Sequence, residues 1–237
     1  MEEPFLVELP GGMRALAVRV HADADLASAV QRLEIGGRPA LVVVGGASGL
    51  SDRDARRLAP LFDDILAPLA QRLGATVVDG GTDAGVMRLM GGARGETGGS
   101  FPLIGVIVDE LAASVGLEPN HTHFVLVPGS DWGHEGPWLV RFASVVAGDE
   151  PSATVLVNGG DISLTDVRHS IEAGRPVVVL DGSGRSADAL AAASRGEHAD
   201  PPLADLAKSD LLHVVDARDR NAIAWLLDDV LSGRVAR

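Results

Sequence analysis

What most constrains this chain is a unit that recurs along it: a short apolar, β-branched run, a turn rich in glycine, and then an apolar pattern at helical spacing. The clearest copy lies between Gly74 and Gly95, where Thr76 to Val78 run into Asp79-Gly80-Gly81-Thr82-Asp83-Ala84-Gly85 and a helix pattern follows at once. Further copies begin at Ala40 to Val44 with Gly45-Gly46, at His121 to Val127 with Gly129 to Gly133, at Thr154 to Val157 with Asn158-Gly159-Gly160, and at Val177 to Leu180 with Gly182-Ser183-Gly184. Near-continuous apolar strands alternating with helices predict a parallel sheet buried on both faces, of the doubly wound, Rossmann-like α/β kind. In such sheets ligands bind beyond the carboxyl ends of the strands, which is where all five glycine turns must fall.

The rest of the chain fits one domain over residues 1–237. Phe5 to Leu9 and Arg14 to Val20, joined by Pro10-Gly11-Gly12, read as a hairpin or edge strands added to that sheet. Leu26, Ala29, Val30 and Leu33 mark a helix, so residues 1–38 form an N-terminal strand and helix region. A helix from about Arg53 to Leu73 carries Pro60 and Pro68, which kink or divide it. Leu103 to Val108 is a strand, Asp109 to Asn120 an excursion, and Asp200-Pro201-Pro202 a break. Residues 194–237 close the chain with a strand at Leu211 to Val215 and a helix at Asn221 to Leu231.

Composition narrows the function. The net charge of -13 and the single lysine, Lys208, exclude a nucleic-acid backbone or an anionic membrane surface as partner, because either demands clustered basic residues. With no cysteine there are no disulfides, thiolate metal sites or cysteine nucleophiles. No apolar run is long enough to span a bilayer and no basic-then-apolar leader opens the chain, so the expected location is the cytoplasm. No Walker loop precedes Lys208, no Gly-x-Ser-x-Gly elbow occurs, and Gly45-Gly46-Ala47-Ser48-Gly49 departs from the dinucleotide fingerprint Gly-x-Gly-x-x-Gly. What remains is a small anionic ligand held by glycine turns, free helix-start amides and local arginines.

Individual residues sharpen this. Arg185, directly after Gly182-Ser183-Gly184, places a guanidinium at a helix start, which makes sense chiefly with an anion between them; a pairing with Asp188 is the alternative. Trp132, in a Gly-Ser-Asp-Trp-Gly loop, is the candidate to stack on a base, whereas Trp138 shares a helix face with Phe142 and reads as core. His121 and His123 alternate along a strand, with His134 and Glu135 a few residues on, but no third ligand stands at firm spacing. The expectation there is a histidine bonded to a neighbouring loop, and no metal.

Four ordered motifs resemble a known family: Gly-Gly-Thr-Asp-Ala-Gly-Val-Met at 80–87, Leu-Glu-Pro-Asn-His-Thr-His-Phe-Val-Leu-Val at 117–127, Asn-Gly-Gly at 158–160, and Val-Val-Val-Leu-Asp-Gly-Ser-Gly-Arg-Ser-Ala-Asp at 177–188. They are similar to the SLOG superfamily, and within it to the prokaryotic relatives (LSDAT) of the cytoplasmic N-terminal region of melastatin-type TRP channels, with the likeness covering residues 40–193. The resemblance implies a Rossmann-like sheet and a pocket for a nucleotide derivative such as ADP-ribose or NAD, with no required cofactor and without the channel helices. It implies that Gly80, Gly81, Thr82, Gly85, Val86 and Met87 line the nucleotide and that Arg141 and Arg185 meet its phosphates. Asn158, Gly159 and Gly160 would form the facing loop, with Gly45, Gly46, Gly182, Ser183 and Gly184 supplying the remaining turns. Another branch, the cytokinin-activating phosphoribohydrolases, carries Pro-Gly-Gly-x-Gly-Thr-x-x-Glu. Here the run from Asn158 to Asp166 keeps the central glycines but has Asn for Pro, Ile for Gly, Ser for Thr and Asp for Glu. Asp166 would be the acid/base of an N-glycosidic hydrolase, yet it is one methylene shorter than that Glu, and a carboxylate misplaced by ~1 Å loses about a hundredfold in rate. A binding or sensing role is therefore the first expectation and hydrolysis of a nucleoside monophosphate the second. The sequence leaves the oligomeric state open, a homo-oligomer included.

Overall fold

A computed structural model describes residues 3–234. Its nine strands form one sheet in the order β1-β2-β6-β5-β4-β3-β7-β8-β9. They are β1 (Phe5–Glu8), β2 (Arg14–Arg19), β3 (Ala40–Gly45), β4 (Thr76–Asp79), β5 (Leu103–Val108), β6 (His123–Val127), β7 (Ser152–Val157), β8 (Val177–Asp181) and β9 (Leu212–Asp216). Only the β1–β2 pair is antiparallel; β2 then pairs parallel with β6, so the N-terminal hairpin extends the sheet rather than capping it. The order reverses at β3, which lies between β4 and β7. That makes the carboxyl end of β3 the topological switch point, where a crevice opens because successive crossovers leave in opposite directions.

Period-two alternation divides the strand side chains between two helical layers. Val42 and Val44 pack with α1 (Asp25–Leu33), α6 (Gly136–Ala147), α7 (Asp161–Glu172), α8 (Arg185–Ser194) and α9 (Pro201–Leu206) on one face. Leu41 and Val43 pack with α2 (Asp52–Leu61), α3 (Ala67–Leu73), α4 (Gly85–Glu96) and α10 (Arg220–Leu231) on the other. The Asp109 to Asn120 excursion holds one short helix, α5 (Asp109–Ala112), and folds back so that Leu117 bridges Thr82.

The proline-bearing helix is divided as its sequence requires. Ser51 caps α2 by accepting the Asp54 N–H at 3.1 Å, and a π-type turn at Phe62–Leu66 lies between Pro60 and Pro68, neither of which can donate to the carbonyl four residues back. The expected break at Asp200-Pro201-Pro202 is instead a helix start: Asp200 Oδ1 accepts the Leu203 N–H at 3.1 Å, and proline is preformed for the first helical position. The β6 strand begins at His123, so His121 and His123 do not share one strand face as expected; His121 lies in the preceding loop. Among the described residues no helix is long and apolar enough to cross a membrane.

Candidate functional site

A cavity of about 770 Å³ opens at the switch point, beyond the carboxyl ends of β3, β4, β6 and β7. The β3–α2 loop contributes Gly45, Gly46, Ala47, Ser48 and Gly49, and the β4–α4 loop contributes Gly80, Thr82, Asp83 and Ala84, with Met87 from the first turn of α4. Trp132, Glu135 and Leu139 come from the β6–α6 connection and α6; Gly160 to Ser163 and Asp166 come from the start of α7; Val115 and Gly116 close one wall; Arg185 enters from the β8–α8 loop.

Arg185 is the positive group of this cavity. Its backbone is left-handed, at φ 50°, although it is not glycine and opens a helix. A β-carbon at Gly49 would lie 2.5 Å from its Nη1 and one at Gly160 would lie 3.1 Å from its Nη2, so the guanidinium occupies a slot that two missing side chains create. Among the described residues it has no carboxylate or carbonyl partner. The alternative pairing with Asp188 is not formed: Asp188 Oδ1 instead accepts the N–H groups of Gly182 and Gly184, each at 2.8 Å.

That same arrangement corrects the expected role of the Gly182-Ser183-Gly184 turn. With the Gly182 and Gly184 amides held by Asp188, and Ser183 Oγ accepting the Asn158 N–H at 2.8 Å while donating to Leu180 O at 2.6 Å, none of Gly182, Ser183 and Gly184 lines the cavity. Asn158, left-handed at φ 62°, ties the β7 and β8 loops together through Ser183 and Ala187, and neither it nor Gly159 lines the cavity. Gly85 faces away: a β-carbon there would fall on the Gly46 carbonyl oxygen, and the Val86 N–H donates to that same oxygen at 2.9 Å. Val86 is wholly buried in the core, and Gly81 packs against Gly105 and Phe124. Arg141 is at the other side of α6, paired with Asp23 at 3.2 Å and lying over the Trp138 ring at 5.0 Å. The loops are therefore glycine-rich mainly because they pack on one another. Of the expected residues the cavity takes in Gly45, Gly46, Gly80, Thr82, Met87, Trp132, Gly160 and Arg185, together with Asp166.

Glu135 and Ile162, which were not among the expected ligand contacts, also line the cavity. Ile162 and Trp132 are exposed apolar side chains at its rim, 44% and 49% accessible. Glu135 accepts the Gly133 N–H at 2.9 Å, and burial raises its carboxyl above the usual range. Asp166 is 9% exposed, its Oδ1 has no partner, and burial, with the Glu135 charge adding, pushes it up to about 7. The first turn of α7, whose first intrahelical bond is Leu164 N–H to Gly160 O at 3.1 Å, lines the same space, and its leading amides have no intrahelical acceptor.

Fold and cavity define a parallel α/β protein with a ligand crevice at its switch point. More specifically, the chain belongs to the family described as SLOG in TRPM, prokaryote, whose model matches residues 38–224. Two curated relatives are the transient receptor potential cation channel subfamily M member 2 of Mus musculus and of Rattus norvegicus. They are 28% and 27% identical over 194 residues, covering 63% of this chain and 13% of each channel. The chain thus spans about an eighth of the channels it matches. Among solved structures, the X-ray structure of TM1055 superposes with a TM-score of 0.56 at 22% identity, covering 81% of this chain and 99% of that one, which is a likeness of fold.

Proposed function

We propose that this chain binds or senses a phosphate-bearing nucleotide derivative, such as ADP-ribose or NAD, in the switch-point cavity. The observation that carries the reading is Arg185, an unpartnered guanidinium held in a glycine slot at the cavity wall on a strained backbone. Strain of that kind persists where the surroundings enforce it, and functional sites are where it collects. A phosphate between the guanidinium and the leading amides of α7 would receive charge-assisted hydrogen bonds from both. The base would then lie toward Trp132 and Ile162, whose exposed apolar faces at the rim suit a planar ring. The net charge of -13 fits this small-ligand role and opposes nucleic acid or an anionic membrane as partner, and we place the protein in the cytoplasm.

Thermal unfolding with and without ADP-ribose, NAD, AMP and cyclic nucleotides tests the reading. A ligand at 100 times its dissociation constant adds about 2.7 kcal/mol, so absence of any stabilisation at millimolar concentration refutes it.

Asp166 favours a second reading, an N-glycosidic hydrolase of nucleoside monophosphates. A buried carboxyl titrating near neutrality is what a general acid to a leaving base requires. Incubation with AMP, NAD and N6-substituted adenosine monophosphates would release free base, and Asp166→Asn would abolish release while binding persists; no release from any of them excludes this reading.

A further inference from the structure

At the end of β4 a set of ionisable side chains is sealed from solvent. Asp79 Oδ1 accepts the Gly81 N–H at 2.7 Å and stands 2.8 Å from His121 Nε2, while His121 Nδ1 stands 2.8 Å from Glu118 Oε2. The three side chains are 0%, 0% and 3% exposed. A neutral imidazole donates from one nitrogen only, so the ring can donate to both carboxylates at once only as the imidazolium. Glu118 is itself fixed by Asn120, through the backbone N–H at 2.9 Å and Nδ2 at 2.8 Å.

Stability alone does not explain the arrangement. Desolvating three charges costs several kcal/mol per ion before their attraction repays it, and well-packed apolar replacements are often as stable. Asp79 Oδ2 remains buried without a partner. Helix α4 also gives up a side chain to admit the group, because a β-carbon at Gly91 would fall inside the Glu118 carboxylate. Glycine within a helix costs a further 0.5–1 kcal/mol or so relative to alanine.

What the group does join is the cavity wall. Asp79 immediately precedes the Gly80–Asp83 loop, and Glu118 lies two residues past Gly116 of the Val115–Gly116 turn. The two segments are cross-linked by Glu118 N–H to Gly81 O at 3.0 Å, Asp83 N–H to Gly116 O at 2.7 Å, and the Thr82–Leu117 bridge. Gly80, Thr82, Asp83, Val115 and Gly116 all line the cavity. We propose that Asp79, His121 and Glu118 form a buried ionic clamp that holds these two segments together as one wall of the ligand cavity, with His121 as its positioning residue. Its ligand consequence rests on the nucleotide reading; its structural consequence does not.

The clamp has an alkaline limit. Burial pulls the His121 imidazolium down, but the Asp79 charge and the bonds from Asp79 and Glu118 outweigh it and raise it to about 9. The other groups facing this cluster are the Phe124 ring, stacked at 5.4 Å from β6, Gly91 of α4, and the α4 arginines, of which Arg94 donates to Asn120 O at 3.2 Å and Arg88 lies within electrostatic reach of Glu118.

Amide hydrogen exchange on the full chain tests the proposal. Protection factors at Gly81, Asp83, Glu118 and Asn120 should fall at least tenfold in His121→Gln relative to those across β7 and β8. Should that variant not fold, the wild type decides: the same four amides should lose protection ahead of β7 and β8 as pH rises from 7 past 9. Protection that stays uniform in either experiment overturns the clamp. Affinity for AMP and ADP-ribose at pH 7 should fall tenfold or more in His121→Gln. Loosened amides with unchanged affinity would refute the positioning role, whereas a wild type that binds neither nucleotide would refute the nucleotide reading and leave the exchange result to judge the clamp.

Discussion

Arg185 offers a test in which affinity and stability move in opposite directions. Both Arg185→Ala and Arg185→Gly delete the guanidinium, but only glycine relieves the left-handed φ of 50°. A non-glycine residue in that region costs about 1–2 kcal/mol, and the extra freedom glycine gives the unfolded chain takes back roughly 0.4–1 kcal/mol. The glycine variant should therefore exceed the alanine variant by up to about 1.6 kcal/mol in urea unfolding without ligand. The alanine variant should match the wild type, since no partner of the guanidinium is lost among the described residues. Charge-assisted hydrogen bonds are worth about 1.5–3 kcal/mol, so both variants should bind ADP-ribose roughly ten- to a hundredfold more weakly by calorimetric titration. Gly49→Ala approaches the same end by a different route: its methyl would meet Nη1, the far end of a flexible side chain, so it should displace the guanidinium and weaken binding at little cost in stability. A ligand-free Arg185→Ala that has lost several kcal/mol, or that binds ADP-ribose like the wild type, would show that Arg185 is a structural group and that the phosphate lies elsewhere.

Other measurements probe separate parts of the molecule. A folded-state His121 raised from 6.5 to about 9 stabilises fully below pH 6.5, and this is lost as pH climbs through 9; the difference is about 3 kcal/mol, and a flat urea-unfolding profile from pH 7 to 10 would contradict it. Asp166 works in the opposite sense, because a carboxyl raised from 3.8 to about 7 holds its proton in the fold and costs stability as pH rises across that window. Asp166→Asn should thus raise the urea midpoint at pH 8, by as much as about 4 kcal/mol in free energy, and leave it near the wild-type value at pH 4. Gly85→Ala combines a left-handed φ of 49° with a clash against the Gly46 carbonyl, and thermal unfolding should show a loss above about 2 kcal/mol.

The alternation of apolar runs and glycine turns made the sheet, its mostly parallel sense and the edge bearing the cavity readable in advance, because burial on both faces leaves few other ways to arrange such strands. The division of labour among the glycines was not readable. Gly80 and Gly81 are neighbours, yet one faces the cavity and the other meets the Gly105 backbone, a contact between the loop after β4 and strand β5 that only the folded sheet creates. Arg141 misled for a related reason: the flanking Leu139, Val140, Phe142 and Ala143 are all buried, and only the packing of α6 against α1 decides that Arg141 turns to Asp23. His121 and Asp79 are separated by 42 positions, and Ile162 stands where the compared motif has glycine, so nothing marked it as a wall residue. Asp188, weighed as the partner of Arg185, instead holds the amides of the turn before it.

The distribution of charge around the cavity bears on which of its two chemistries operates. Arg185 enters beside Gly49 and Gly160, whereas Asp166 lies a turn and a half further along α7, with Glu135 among the charges acting on it. In the binding reading proposed above, a diphosphate would take the first region, where the cavity's guanidinium lies. On that reading Asp166 would meet the base or its glycosidic nitrogen. A neutral Asp166 can donate a hydrogen bond there whether the ligand is merely held or is cleaved, so its position is common to both readings. They part at what completes the reaction, because hydrolysis also needs a water driven at the sugar carbon. A carboxyl at Asp166 can serve as the acid, and Glu135, whose charge acts on Asp166 and which accepts the Gly133 N–H, would then be a candidate base on the same wall. If Glu135→Gln leaves nucleotide affinity and base release both unchanged, that division of roles is wrong.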